Sequence, residues 1–183
     1  MSAAMHRFTP LQRLLHWSMA AAILAMLFIG VGMVSTVSPR YWTLVSIHRP
    51  LGITILLLAL LRLGVRLRHG APALPADLPR WQKLGAKGSH LALYGLMIAM
   101  PLVGWAMQSA GGYPIVLFGP LRLPPILPHD DALYGVLRIA HSWLAYLLFA
   151  TFLVHLAAAL FHGLIRRDGV FTSMASAHLS RSE

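Results

Sequence analysis

From Leu14 to Val34 the chain carries no charged side chain, and from Ile139 to Ile165 it again carries none. Leu44 to Leu61 is apolar except for Arg49, and Lys87 to Arg122 encloses a further charge-free stretch, broken by Pro101 and Gly111-Gly112. Runs of about 18 or more apolar residues are long enough to cross the hydrocarbon of a bilayer as helices. Only 11% of the 183 residues are charged, against roughly 25% in soluble proteins. The sequence therefore predicts an all-α integral membrane four-helix bundle, one domain over 1–183, with helices at about 10–34, 43–66, 84–110 and 134–165. The first run exceeds the about 7–15 residues of a signal-peptide core, and no clear cleavage site closes it. It is read as part of the mature protein.

The basic residues set the orientation. With the N-terminus inside, one side holds Arg7, Arg13, Arg62, Arg66, Arg68, Arg80, Lys83, Lys87, Arg166, Arg167 and Arg181. The other holds Arg40, Arg49, Arg122 and Arg138, partly offset by Asp130 and Asp131. Both termini are expected in the cytoplasm of a multi-pass protein of a bacterial inner membrane. The net charge of +10 flanks the helices rather than forming one patch. That pattern points to lipid headgroups as partner and away from nucleic acid.

Thr9-Pro10 reads as a helix start, with Thr as N-cap and Pro in the first turn. Arg62, Arg66 and Arg68 close helix 2, where long side chains can snorkel to headgroups. Residues 69–80 read as an irregular loop, and Pro101 as a bend in helix 3. Five prolines between Gly111 and Asp131 predict an outer, partly interfacial loop, with Tyr113 and Phe118 suited to the headgroup zone.

Four histidines lie inside the apolar runs: His16, His48, His141 and His155. An ionisable side chain at membrane depth marks a functional site by default. His141 and His155 are fourteen positions apart, which places them on nearly one helix face and about 21 Å apart along the axis. His48 matches His141 in depth. His16 matches His155 or His162, and depth alone leaves that choice open. Paired imidazoles at two depths suggest two metal centres, with iron in haem as the natural metal. Zinc asks for three or four ligands at one point, and buried carboxylates are missing. The absence of cysteine excludes thioether-bound haem, iron–sulfur clusters, disulfides and redox thiols. Arg49 and Arg138 lie beside the outer candidates and suit a haem propionate or simple interfacial anchoring. Gly30, Gly32, Gly52, Gly95 and Gly104 suit either a flat porphyrin or close helix contacts. His6, His69, His129 and His178 fall outside the runs and read as solvated.

Taken together, Leu-His-Trp at 15–17, Ile-His at 47–48 before Gly52-Ile53, and His90 with Leu-Ala-Leu-Tyr after it form a specific pattern. Pro101-Leu-Val-Gly, His141, and His155 followed by a Leu/Ala run and His162 complete it. The chain resembles the prokaryotic cytochrome b561 family, four-helix membrane proteins with two b haems. The resemblance implies that His16 and His155 hold the inner haem, and His48 and His141 the outer one. It also implies that His90 and His162 contact the inner haem or a bound quinone. The implied activity is superoxide–quinone oxidoreduction, with ubiquinone as acceptor. Around Gly112-Tyr113-Pro114 the chain is richer in proline than the family pattern. The alternative is a cytochrome b membrane-anchor subunit that passes electrons between a periplasmic dehydrogenase and the quinone pool. A haem-free transporter or structural bundle is the third class.

Overall fold

The computed structural model describes residues 7–175. His6, His178 and Arg181 lie outside the described residues. Four long helices, α1 (Pro10–Ser35), α2 (Arg40–His69), α3 (Arg80–Ala110) and α4 (Asp131–Leu160), dominate the chain. Each is long and apolar enough to span a membrane. The fold is the expected all-α membrane bundle, with helix ends within a few residues of the sequence reading.

Their boundaries follow from local chemistry. Thr9 caps α1: its side chain accepts from Gln12 N–H at 3.2 Å, and Gln12 Oε1 accepts from Thr9 N–H at 2.9 Å. That reciprocal pair is a capping box. The Asp130 carboxylate accepts from Leu133 N–H at 2.9 Å and opens α4. Helix α3 continues through Pro101 as one helix. The α-helical ladder of α4 passes into a π turn at Phe161–Arg166, which ends at Arg167 with φ of 52°. A short α5 (Val170–Ala175) follows. It folds back on α1, where Trp17 Nε1 donates to the Met174 carbonyl at 3.2 Å.

The segment between α3 and α4 goes beyond the expected loop. Ile115–Phe118 (β1) and Leu121–Leu123 (β2) pair antiparallel, with an irregularity between Val116 and Phe118. Ile, Val, Leu and Phe favour extended backbone, and Gly119 at φ 54° turns the chain between them. Pro114, Pro124 and Pro125 flank the strands and Pro120 sits in the turn, so none interrupts the pairing.

Helices α1 and α2, α2 and α3, and α3 and α4 pack side by side. The buried core consists of Met19, Ile23, Ile55, Ala59, Tyr94, Leu96, Met97 and Leu148. It lies at mid-depth, since Leu148 falls halfway between His141 and His155. Most of the outer apolar surface is exposed, as for Phe28 at 73% and Trp143 at 68%. Lipid is the medium that covers such a surface.

Candidate metal centres

Each long helix carries two notable residues fourteen positions apart: His16 and Gly30, His48 and Arg62, His90 and Gly104, His141 and His155. Fourteen residues make nearly four turns and rise about 21 Å, so each pair shares a face at two depths. Neighbouring helices run in opposite directions. His16, Arg62, His90 and His155 therefore gather at the level nearer Thr9, and His48, Gly104 and His141 at the level nearer the hairpin.

At the hairpin level the ring centres of His48 and His141 are 6.2 Å apart. At the other level those of His16 and His155 are 6.3 Å apart. A metal held between two imidazoles, at about 2 Å per metal–nitrogen bond and about 1 Å more to each ring centre, gives about 6 Å. Edge-on ring packing alone also falls in this range. Two further observations bear on the choice. Nδ1 of His48 is buried without a hydrogen-bond partner, a state that is costly in an apolar medium. In addition, the helix pairs that bear the imidazoles, α1 with α4 and α2 with α4, are not the closely packed ones. The rings thus face each other across helices that are not in close backbone contact. A Cβ on Gly104 would stand 3.2 Å from His141 Cε1, so glycine leaves His141 free to take its position. Nothing lies within 4 Å of a Cβ built on Gly30 or Gly95, whereas one on Gly32 would meet Leu44 at 3.1 Å. Gly32 is therefore a helix contact. Among the described residues, no three His, Asp or Glu side chains gather as a metal-holding group.

His90 lies against His155, with ring centres 5.5 Å apart. His162 does not face His16. The π turn shifts its register, and its Nδ1 donates to Asp168 at 2.7 Å. Burial alone would raise the Asp168 carboxyl. The hydrogen bonds from His162, Val170 N–H and Arg166 outweigh it and hold the group below its ordinary value. Arg166 also pairs with Asp77, which ties the 70–79 loop to the end of α4. Arg49 Nη1 donates to the Pro114 carbonyl at 3.3 Å and so anchors the hairpin loop to α2. Arg138 is exposed, and its carbonyl accepts from Ser142. His129 is exposed and binds the Ala110 carbonyl at 2.9 Å.

Arg62 departs from the sequence reading. Its guanidinium meets His16 Nδ1 at 2.9 Å and lies over the Tyr94 ring at 5.5 Å, rather than running out to headgroups. Its spacing of fourteen from His48 was the signal that could have found it.

Residues 7–177 match the family described as prokaryotic cytochrome b561. The chain is 28% identical to "Cytochrome b561 homolog 1" of Escherichia coli (strain K12) over 180 residues, 93% of this chain and 97% of the relative. It is 29% identical to "Cytochrome b561 homolog 2" of the same organism, over 92% of this chain and 90% of that one. It is 31% identical to "Probable superoxide oxidase CybB" of Yersinia pestis, over 70% of this chain and 72% of the relative.

Proposed function

The chain belongs to the prokaryotic cytochrome b561 family, and from that premise we propose that it passes electrons between a small redox species at its hairpin end and membrane ubiquinone, through two b haems. His48 and His141 hold one haem, and His16 and His155 the other. The family makes haem b the group to be held and electron transport in a membrane the broad activity. The observation that carries the reading is the recurrence of one imidazole spacing, 6.2 and 6.3 Å, at two depths of one bundle. When bound, the haems supply one-electron transfer at those two depths.

The residues have separate tasks. The four histidines would hold the two haems in pairs, and irons so held would favour outer-sphere transfer over binding of dioxygen or carbon monoxide. Arg40, Arg122 and Arg138 are exposed at the hairpin end and Arg49 is half-buried there, a rim that attracts anions. Superoxide is such an anion, and the name of the Yersinia relative supports it as donor. Two superoxide ions each give up one electron and leave as dioxygen. One quinone takes both electrons and two protons to become a quinol. At the quinone end, His90 and the His162–Asp168 pair are the groups placed to hold or relay protons.

The basic asymmetry supports cytoplasmic termini, a hairpin in the periplasm and residence in the inner membrane as a single domain. A reporter active only in the periplasm is expected to stay silent when fused after Glu183. Strong activity there reverses the two faces.

Purified holoprotein tests the chemistry. A reduced-minus-oxidised spectrum is expected to give two haems b per chain, with poor carbon monoxide binding. Superoxide is expected to reduce them at a rate that falls with added salt, because the attraction is screened, and ubiquinone to reoxidise them. Holoprotein that takes no electrons from superoxide and exchanges none with quinone overturns the stand-alone activity in favour of an anchor subunit.

A further inference from the structure

Arg62 and Arg66 lie half-buried on the α2 face below the core, both over the ring of Tyr94, at 5.5 and 5.7 Å. Two cations on one aromatic ring repel each other, and cation–π attraction offsets that only in part. A carboxylate is the usual remedy, yet the chain has only five acidic residues. Asp77 and Asp168 both bind Arg166, Asp130 caps α4, and Asp131 lies beside His129 at 3.8 Å. Glu183 lies outside the described residues. No described carboxylate is paired with Arg62 or Arg66.

The contact of Arg62 with His16 sharpens the point. A guanidinium only donates, so His16 Nδ1 must accept from Arg62, and the ring hydrogen then resides on Nε2. If iron takes Nδ1, it displaces Arg62 from that nitrogen. If iron takes Nε2, the hydrogen moves to Nδ1, which no longer accepts. Either way Arg62 loses its acceptor when His16 becomes a ligand. We infer that Arg62 and Arg66 are positioning residues that receive the two propionate carboxylates of the inner haem. This rests on the two-haem reading. A haem brings the anions the chain does not provide, and Arg is the residue that binds carboxylate through paired donors. Anionic lipid phosphate shares that chemistry and is the rival source.

The test uses purified holoprotein in which the haem propionate carboxyls carry carbon-13. Variants are Arg62→Gln, Arg66→Gln and Arg62→Lys. The expected result is a shift of the labelled carboxylate bands in the reduced-minus-oxidised infrared spectrum for each Gln variant. The inner haem should also become harder to reduce, by about tenfold in its oxidised-to-reduced ratio, about 59 mV for one electron. The outer haem should keep its potential, and Arg62→Lys should recover most of the change. Arg66→Gln keeps the test open if Arg62→Gln fails to retain haem, because Arg66 does not touch His16. Unchanged labelled bands in the Gln variants overturn the assignment, whatever the potential does, and leave lipid phosphate or the His16 contact as the role. A wild-type protein with one haem sinks the underlying two-haem reading instead, which the haem count reports separately.

Discussion

Replacing His141 by Ala is expected to take the purified protein from two haems per chain to one. Its ring faces His48 at the hairpin level. On the proposed assignment, removing it leaves a single imidazole where two would hold the group. The other level is served by His155, fourteen positions away, about 21 Å along the same helix. The lower haem should therefore persist with its low-spin spectrum. His48→Ala should give the same result, since both rings belong to one pair. In His16→Ala and His155→Ala the complementary haem should be lost. The readout is haem per chain with redox titration of what remains. Retention of two haems in all four variants would falsify the ligand assignment.

The second large effect should come from a residue with no side chain. A Cβ on Gly104 would stand 3.2 Å from His141 Cε1 and 3.5 Å from Nδ1. Gly104→Ala therefore asks the ring to move by a few tenths of an ångström, and Gly104→Leu asks for far more. The Ala variant should keep two haems with a shifted potential for the one at the hairpin level. The Leu variant should lose most of that haem while retaining the other. Gly30→Ala is the control, because nothing lies within 4 Å of its Cβ. Equal haem content in Gly104→Leu and wild type would show that the ring is not confined there.

The parts of this architecture legible in the sequence were those governed by a single physical effect. Charge-free runs of spanning length leave little besides helices, and Thr9-Pro10 fixed the start of α1 through its own hydrogen bonds. The relation between His141 and His155 was readable because an unbroken helix repeats its face. His162 escaped the same arithmetic, since the π turn at Phe161–Arg166 breaks that repeat. The hairpin at 115–123 is hidden in the sequence because five prolines surround a short Ile-Val-Leu-Phe run. Arg62 was read as an anchor reaching for headgroups. The spacing of fourteen from His48 puts Arg62 on the histidine-bearing face of α2, but its partner there, His16, belongs to α1 and lies 46 positions away. The small helix α5 is tied by its Met174 carbonyl to Trp17, far away in the chain.

The apolar layer at mid-bundle has an electrical consequence. Met19, Ile23, Ile55, Ala59, Met97 and Leu148 bring no ion between the two histidine levels. With the levels about 21 Å apart in about 30 Å of hydrocarbon, some two thirds of any transmembrane voltage falls between them. At 100 mV that is about 1.5 kcal/mol for each electron crossing, roughly a tenfold change in how electrons divide between the levels. With the hairpin on the periplasmic side, as proposed, an energised membrane, negative inside, would hold electrons back at the hairpin level, and dissipating the voltage would release them inward. The same residues that seal the bundle against water would thus make its traffic answer to the energetic state of the cell.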